Sequence, residues 1–256
     1  MKIAVCVKHV PCGRVRMQPD TLRLERGGPG ELNEFDKHAV EEAIRCAERD
    51  GAEVVAISIG APDADESLRT ALALGAERAV HVCDPQAAGS DLVATAKLLA
   101  AVLEQEAPDL VLFGQQSSDG GGAVLWAAVA ERLRWPFACQ ASELTVTDGT
   151  VTVRRETEYG HDVIDAPLPA IVAVSDAINE PRYTSLKGRM AAKKKPLAVL
   201  TVGDLGLDAA DVGAAGSRTV VLAVAPPASR GTTVTVDDEA GAAEAIVAFL
   251  AERELV

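Results

Sequence analysis

Short apolar runs alternate with helical apolar stripes through the first half of the chain. The runs are rich in Val, Ile and Leu, which is typical of buried strands. They predict strands over residues 3–7, 54–59, 79–83 and 110–113. Between them, apolar residues recur at three- and four-residue spacing, as on one face of a helix. These stripes predict helices that begin at the caps Asn33, Asp63 and Ser90, and another helix over 123–133. The alternation predicts an α/β fold, a Rossmann-like parallel sheet with helices on both faces.

The second half of the chain follows a different pattern. Residues 144–147 and 150–153 alternate around Asp148-Gly149, which predicts a β-hairpin. Residues 170–174 predict another strand, and the following segment 176–196 predicts a protruding loop. Small residues dominate 202–235, and a last apolar stripe over 242–250 predicts an amphipathic helix. We therefore expect an α/β nucleotide-binding domain over 1–200, and over 201–256 a C-terminal extended arm and helix that pack on a partner subunit.

The net charge of the chain limits the classes of partner that it can bind. The 256 residues carry a formal net charge of −13, which argues against nucleic-acid binding because phosphate recognition needs a basic surface. The segment 182–195 is the exception: it holds six basic residues, and no carboxylate occurs between Glu180 and Asp204. Such a segment suits an acidic partner or a phosphate-bearing ligand, or else it is a solvated connector.

Cysteine, histidine and hydropathy patterns exclude several classes of site. Five scattered cysteines without a CxxC pair indicate neither a disulfide framework nor a zinc site, and they predict a cytoplasmic protein. Four dispersed histidines predict no metal site. No apolar run approaches the roughly twenty residues of a membrane span, so we expect no direct membrane insertion.

A polar, glycine-rich turn over residues 114–122 is the strongest candidate for a ligand site. It follows a predicted strand and opens a predicted helix, and open α/β sheets bind ligands at such strand ends. Glycines let the backbone approach a phosphate, although the turn is neither a Walker A loop nor GxGxxG. The alternative is a polar turn with Asp119 as the helix cap. Lys8 and His9, at the end of the first strand, either face such a ligand or are solvated. Since no catalytic constellation accompanies these residues, the sequence favours holding a ligand over transforming one.

Taken together, these stretches resemble the small (beta) subunit of electron-transfer flavoproteins over nearly the whole chain. The matching stretches are Val5-Cys6-Val7-Lys8-His9-Val10, Leu32-Asn33-Glu34-Phe35-Asp36, Thr70-Ala71-Leu72-Ala73-Leu74-Gly75-Ala76 and the turn 114–119. Most specific are Asn179-Glu180-Pro181-Arg182-Tyr183 and the following Lys193-Lys194-Lys195-Pro196. The resemblance implies a fold of the adenine-nucleotide-binding type, in a heterodimer with a larger alpha subunit that carries most of the FAD site.

The resemblance also implies cofactor-binding residues. Family members of the ordinary kind hold AMP in the sheet crevice of this subunit. Carried over, that crevice would be lined by Cys6, Asn33, Asp36, Ile59, Gly60, Gly114, Gln116, Asp119, Gly120, Gly121, Gly122, Ala123, Val124 and Leu125. Phe35 would lie near the dimethylbenzene edge of the flavin.

A docking surface for dehydrogenases is implied in the same way. The loop before Asn179 would insert the aliphatic Ile178 into an acyl-CoA dehydrogenase or a related flavin dehydrogenase, with Asn179, Glu180, Pro181, Arg182 and Tyr183 beside it. Glu156 would pair with an arginine of that partner. The lysine run 193–195 would serve the return path of the chain or contact with the larger subunit.

Two positions depart from the family pattern. The phosphate loop of the family usually continues with a threonine and a glycine, whereas Val124, Leu125 and Trp126 occupy this stretch here. A hydroxyl contact to phosphate is therefore missing, which leaves AMP, a second FAD or no nucleotide for the crevice. An aromatic residue often found in the first loop is Gly13 in this chain.

The resemblance implies an electron carrier rather than an enzyme. Such a subunit passes electrons from acyl-CoA-type dehydrogenases, as in fatty acid β-oxidation, through FAD to a respiratory acceptor. Two alternatives stay open. One is the small subunit of a flavin-based electron-bifurcating complex that binds a second FAD and NADH, and the other is a stand-alone adenine-nucleotide-binding protein.

Overall fold

The apolar runs of the sequence form one large sheet in a computed structural model, which describes residues 1–13, 16–26, 29–225, 235 and 241–256. The strands are β1 Lys2–Cys6, β2 His9–Pro11, β3 Gly30–Leu32, β4 Glu53–Ile59, β5 Arg78–Val82, β6 Leu110–Gly114, β7 Phe137–Thr147, β8 Thr150–Thr157, β9 Gly160–Pro167, β10 Ala170–Val174 and β11 Leu197–Leu200. The α-helices are α1 Glu34–Asp50, α2 Ala64–Leu74, α3 Leu92–Glu106, α4 Leu125–Leu133, α5 Leu186–Ala192, α6 Gly213–Gly216 and α7 Ala242–Ala251.

Sheet order confirms the predicted fold class. Within the described residues, nine strands pair in the order β11-β5-β4-β1-β6-β10-β7-β8-β9, and all neighbours from β11 to β7 are parallel. The chain moves outward from β1 through β4 to β5 and then returns to the other side of β1 as β6. This reversal opens a crevice at the carboxyl ends of β1 and β6, where ligands bind in folds of this kind.

Strand β1 shows why the sheet is covered on both faces. Its alternate residues Ile3 and Val5 pack in one core cluster with α1 and α2, while Ala4 and Cys6 pack in the other cluster with α3 and α4. Side chains of a strand alternate between the two faces, so a strand that is apolar throughout needs helices on each side.

The hairpin prediction is confirmed, and the hairpin is longer than the pattern indicated. Strands β7 and β8 pair antiparallel through Leu144 and Val153, and β9 adds a third antiparallel strand. Asp148 and Gly149 form the turn with φ of 49° and 76°, the left-handed values that a two-residue hairpin turn of this type requires. Sequence reasoning missed β9 because His161, Asp162 and Asp165 interrupt its apolar positions and most of its residues are exposed.

Residues 197–212 complete the large sheet and one of its two core clusters. Strand β11 pairs with β5, and Val202, Leu205 and Val212 are buried against α3 and its neighbours. The chain divides into two compact units, Met1–Val221 and Leu222–Val256. The domain boundary at residue 200 stays a prediction. Within the second unit α7 forms as expected, with Ile246 and Val247 more than half exposed. Among the described residues, no helix is long and apolar enough to cross a bilayer.

The first loop of the chain, over residues 9–32, is an excursion from the large sheet with its own strand pairing. Strands β2 and β3 pair antiparallel, and a bridge joins Met17 to Leu24 further along the same excursion. Residues 14, 15, 27 and 28 lie outside the described part of the chain. The excursion matters for function because it starts and ends at the carboxyl edge of the large sheet, next to the crevice.

Candidate nucleotide crevice and docking segment

The amino end of α1 lies directly against the end of β6. A Cβ atom at Gly114 would come within 2.4 Å of Asp36 Oδ1 and 2.6 Å of the Phe35 carbonyl carbon. Only glycine permits this approach, because real side chains do not pack at such distances. Asp36 Oδ2 accepts a hydrogen bond of 2.8 Å from Lys8 N. Gly114 and Asp36 thus bring the ends of β1, β6 and α1 together, as the predicted crevice requires.

Asp36 is a buried carboxyl group at this junction. Its burial raises the pKa to about 7, although hydrogen bonds from Asn33 and from Lys8 N–H oppose the shift. Burial of Cys6, and to a lesser extent the nearby Asp36 carboxylate, raises the pKa of the Cys6 thiol. A buried thiol with a raised pKa is a packing residue rather than a nucleophile. At neutral pH the crevice floor therefore carries less negative charge than its sequence indicates.

The side chain of Asn33 does not make the capping bond that the sequence predicted. It occupies the cap position of α1 but makes no side-chain capping bond. Instead its Nδ2 donates to Gln116 O at 2.8 Å, and its Oδ1 accepts from Ser118 N at 3.0 Å. Since Asn33 is buried, these bonds tie the glycine-rich turn to the start of α1. The turn is therefore shaped by a side chain from a different part of the chain.

Asp119 does not cap a helix, which was the alternative interpretation of this turn. Helix α4 begins at Leu125 with Val124 at its cap position, so Asp119 caps no helix. Its carboxylate, with 2% of the side chain exposed, pairs with Lys8 Nζ at 2.7 Å and with the Arg26 guanidinium. Burial of Asp119 would raise its pKa, but Lys8 and Arg26 outweigh burial and lower it to about 2. Sequence reasoning missed Arg26, because nothing in the sequence places the first loop beside the turn.

The rest of the turn presents exposed backbone. Gly121 and Ala123 have φ of 57° and 43°, in the left-handed region that few non-glycine residues adopt. In the described part of the chain, the N–H groups of Gly122 and Ala123 donate no hydrogen bond. Two cations against one carboxylate leave a surplus positive charge beside this backbone. An anion fits such surroundings, because free N–H groups before a helix attract negative charge.

The other predicted cofactor residues lie around the same edge. Gly120 and Val124 are exposed in the turn, and Leu125 is half-buried at the start of α4. Ile59 and Gly60 end β4, where Gly60 N donates to Val82 O at 3.1 Å. Phe35 is half-buried in the first turn of α1. The structure thus gathers these residues at the carboxyl ends of β1, β4 and β6, and their roles toward a cofactor stay a prediction.

The docking segment, residues 178–195, is held on α1 by two sets of polar contacts. Arg182 lies between Glu41, at 2.8 Å, and Glu48, at 2.6 Å. Asn179 O is bonded to His38 Nδ1 at 2.9 Å, and Asn179 Nδ2 donates to Glu42 at 3.0 Å. The base of the segment is therefore fixed.

Glu41 and Glu42 differ although they are neighbours. Burial of Glu41 would raise its pKa, but hydrogen bonds from Arg182 and Arg45 lower it below the ordinary value. Burial of Glu42 raises its pKa, and the Asn179 amide offsets only part of that rise. Glu41 is therefore the charged partner of the basic segment.

The exposed fraction of the side chains varies along the docking segment. Ile178 is half-buried and packs against the core of the sheet. Pro181 is half-buried and Glu180 exposed, whereas Tyr183 is 98% and Leu186 77% exposed. Among the described residues, Leu186 is the exposed large aliphatic side chain closest in sequence to Ile178, and sequence reasoning did not select it.

Glu156 lies on a separate surface, on strand β8. Its Oε1 accepts a hydrogen bond of 3.1 Å from Ser142 Oγ, and its side chain is 56% exposed. The same carboxylate oxygen lies 3.9 Å from Arg154 Nη2, so Glu156 already has a cation partner within the chain. The described residues contain no cluster of His, Cys, Asp and Glu that could hold a metal ion.

Fold and sheet order together define an α/β protein with a large, mostly parallel sheet that is covered by helices on both faces. The Electron transfer flavoprotein domain model matches residues 21–205. The chain belongs to the electron transfer flavoprotein family, so the resemblance in the sequence is confirmed. It is 35% identical to electron transfer flavoprotein subunit beta of Mycobacterium tuberculosis, over 99% of each chain. It is 36% identical to the Bos taurus subunit beta over 93% of each chain, and 35% identical to the caffeyl-CoA reductase-Etf complex subunit CarD of Acetobacterium woodii over 100% of each.

Proposed function

We propose that this chain is the small subunit of a heterodimeric electron transfer flavoprotein. It completes an FAD site at the interface with a larger alpha subunit and carries electrons without a catalytic acid, base or nucleophile of its own. The observation that carries this proposal is the similarity to proteins named subunit beta along the whole chain. FAD, when bound, supplies the reversible uptake of electrons, and the chain supplies its surroundings.

The crevice supports an adenine nucleotide as the second ligand. Lys8 and Arg26 leave one positive charge uncompensated by Asp119, in the turn where the N–H groups of Gly122 and Ala123 donate no hydrogen bond to any described residue. These groups suit a phosphate and replace the hydroxyl that the sequence lacks. We propose AMP as the occupant, held by main chain and by these two cations.

The docking segment supports a protein donor of electrons. Its base is tied to α1 through Arg182, while Tyr183 and Leu186 are exposed. Exposed apolar side chains on a fixed support are typical of binding hot spots. We propose that an acyl-CoA-type dehydrogenase docks here, with Glu156 as a further contact, and that the electrons then pass to a respiratory acceptor. Because Ile178 is half-buried, Leu186 is the better candidate for the inserted side chain.

A second candidate function rests on a specific similarity. CarD belongs, by its name, to a caffeyl-CoA reductase-Etf complex, and this chain matches it over its full length. In a bifurcating complex the crevice would hold a second FAD instead of AMP, and NADH would be the electron donor. The surplus positive charge at Lys8 and Arg26 suits either nucleotide.

The test is the cofactor content of the complex. The chain is co-expressed with the large subunit from the same organism, and the nucleotides released from the purified complex are identified and counted. One FAD and one AMP for each heterodimer support the leading proposal. Two FAD molecules, with flavin reduction by NADH, support the bifurcating alternative. A stable monomer that binds an adenine nucleotide and ignores the large subunit would refute both and favour a stand-alone nucleotide-binding protein.

A further inference from the structure

The far end of the docking segment is attached to α2 by a lysine from the basic run. Lys195 Nζ donates hydrogen bonds to the carbonyl oxygens of Leu72, Gly75 and Ala76, at 2.9, 3.3 and 2.6 Å. These carbonyl groups lie in the last turn of α2 and directly after it. The last turn of α2 contains no basic residue of its own. A cation there satisfies unpaired carbonyls and interacts favourably with the negative end of the helix dipole. Lys195 is thus a capping group that comes from about 120 residues further along the chain.

Arg69 makes a second attachment from the middle of α2. Its Nη1 donates to Ala192 O at 3.0 Å and to Lys195 O at 3.2 Å. Ala192, the last residue of α5, is buried beneath these contacts. Two cations therefore hold the carboxyl end of α5 on α2. Arg69 belongs to α2, and Lys195 follows α5 in the chain.

Close backbone packing adds a third attachment. A Cβ atom at Gly188, in α5, would lie 2.5 Å from Ala73 O. The helix α5 therefore lies directly on the last turn of α2, and any side chain at Gly188 would push it away. Ser185 Oγ caps the start of α5 by accepting from Gly188 N at 2.9 Å.

The three neighbouring lysines are therefore not equivalent. Lys193 and Lys194 are exposed, whereas Lys195 is half-buried, and its burial lowers its pKa. Arg182 holds the other end of the segment on α1. The exposed Leu186 lies between these two attachments, at the first residue of α5. A short helix fixed at both ends loses little conformational entropy when a partner binds it.

We propose that Lys195, assisted by Arg69 and Gly188, is a positioning residue that holds α5 on α2 and so presents Leu186 to the electron-donating protein in one orientation. The inference rests on the docking role proposed above. It distinguishes Lys195 from Lys193 and Lys194, which donate no hydrogen bond to α2 in the part of the chain that the structure describes.

The test uses the FAD-loaded heterodimer and the variant Lys195→Met, which keeps the length of the side chain and removes its charge and donors. Lys194→Met removes the same charge from an exposed neighbour and is the matched control. Gly188→Ala displaces α5 without changing charge, and it carries the test if Lys195→Met does not fold. Lys195→Arg restores a donor and should recover part of the loss.

Two readouts separate positioning from general damage. Amide hydrogen exchange over 186–192 should become about tenfold faster in Lys195→Met and Gly188→Ala but not in Lys194→Met, with FAD content unchanged. With an acyl-CoA dehydrogenase and its acyl-CoA as electron source, the apparent KM for that dehydrogenase should rise about three- to tenfold at nearly constant kcat. Loss of preorganised docking affects KM, whereas damage to the flavin site lowers kcat.

Contrary outcomes are distinguishable. Equal exchange in Lys195→Met and Lys194→Met would overturn the positioning role. Faster exchange with an unchanged KM, while Leu186→Ala raises KM, would show that docking does not need the attachment. An unchanged KM in both Lys195→Met and Leu186→Ala would overturn the docking function itself, and the inference with it.

Discussion

Replacement of Asp36 by asparagine tests the electrostatics of the crevice floor. Asp36 is 6% exposed, and its pKa is raised from 3.8 to about 7, chiefly by burial. A carboxyl group with a raised pKa binds its proton more tightly in the folded than in the unfolded protein. Its contribution to the free energy of unfolding is therefore favourable at low pH and is lost as the pH rises from 3.8 toward 7. Asparagine keeps an oxygen that can accept from Lys8 N but does not titrate.

The shift sets the size of the effect. One pKa unit corresponds to about 1.4 kcal/mol, so the full interval corresponds to about 4 kcal/mol. Most of that change falls between about pH 5 and about pH 8, where it amounts to roughly 2–3 kcal/mol. The free energy of unfolding of Asp36→Asn, relative to the parent protein, should therefore increase by roughly that amount across this range.

Urea unfolding followed by circular dichroism, at several pH values from about 5 to about 8, measures this difference. Asp119→Asn is the matched control, because the pKa of Asp119 is about 2 and its carboxylate stays ionised throughout the range. Its cost should therefore be independent of pH. A difference between Asp36→Asn and the parent that stays constant or falls as the pH rises would refute the buried-carboxyl reasoning.

Three further variants test the packing and the docking segment. Gly114→Ala should lower the free energy of unfolding by roughly 1–3 kcal/mol or more, since its Cβ would meet α1, and urea unfolding measures this. Arg182→Met should cost roughly 1–3 kcal/mol in the same assay, because it removes a partner of the buried Glu41 carboxylate. Leu186→Ala should raise the apparent KM for an acyl-CoA dehydrogenase with FAD content unchanged, whereas Ile178→Ala should mainly lower stability.

Each of these variants has an outcome that contradicts its reasoning. A fully stable Gly114→Ala protein would mean that α1 does not approach the strand end as closely as described. A stable Arg182→Met protein would show that Arg45 alone satisfies Glu41. If Ile178→Ala rather than Leu186→Ala raised KM, the assignment of the inserted side chain from the resemblance would be correct and exposure would be the wrong guide.

Local pattern predicted most strands of the large sheet, because each of these is a continuous apolar run or flanks a recognisable turn. The run from Ile3 to Val7 is apolar on both faces, and this requires helices on each side whatever the rest of the chain does. The Asp148-Gly149 turn likewise carries its left-handed requirement in two residues. Strand β9, at the edge of the sheet, escaped prediction because most of its residues are exposed and it contains no continuous apolar run.

The site was harder to predict because its contacts join distant parts of the chain. Asn33 is a residue type that often caps helices. Only the folded protein shows that its side-chain amide is instead hydrogen-bonded to the backbone of Gln116 and Ser118, more than eighty residues away. In the sequence Lys195 is one of three equivalent lysines. Only the fold shows that it donates to the carbonyl groups at the end of α2. Side chains whose partners are local in sequence can be assigned from pattern. A polar side chain whose partners come from another element can be assigned only once topology brings those elements together, and for that reason the crevice could be located from the sequence while the groups that shape it could not.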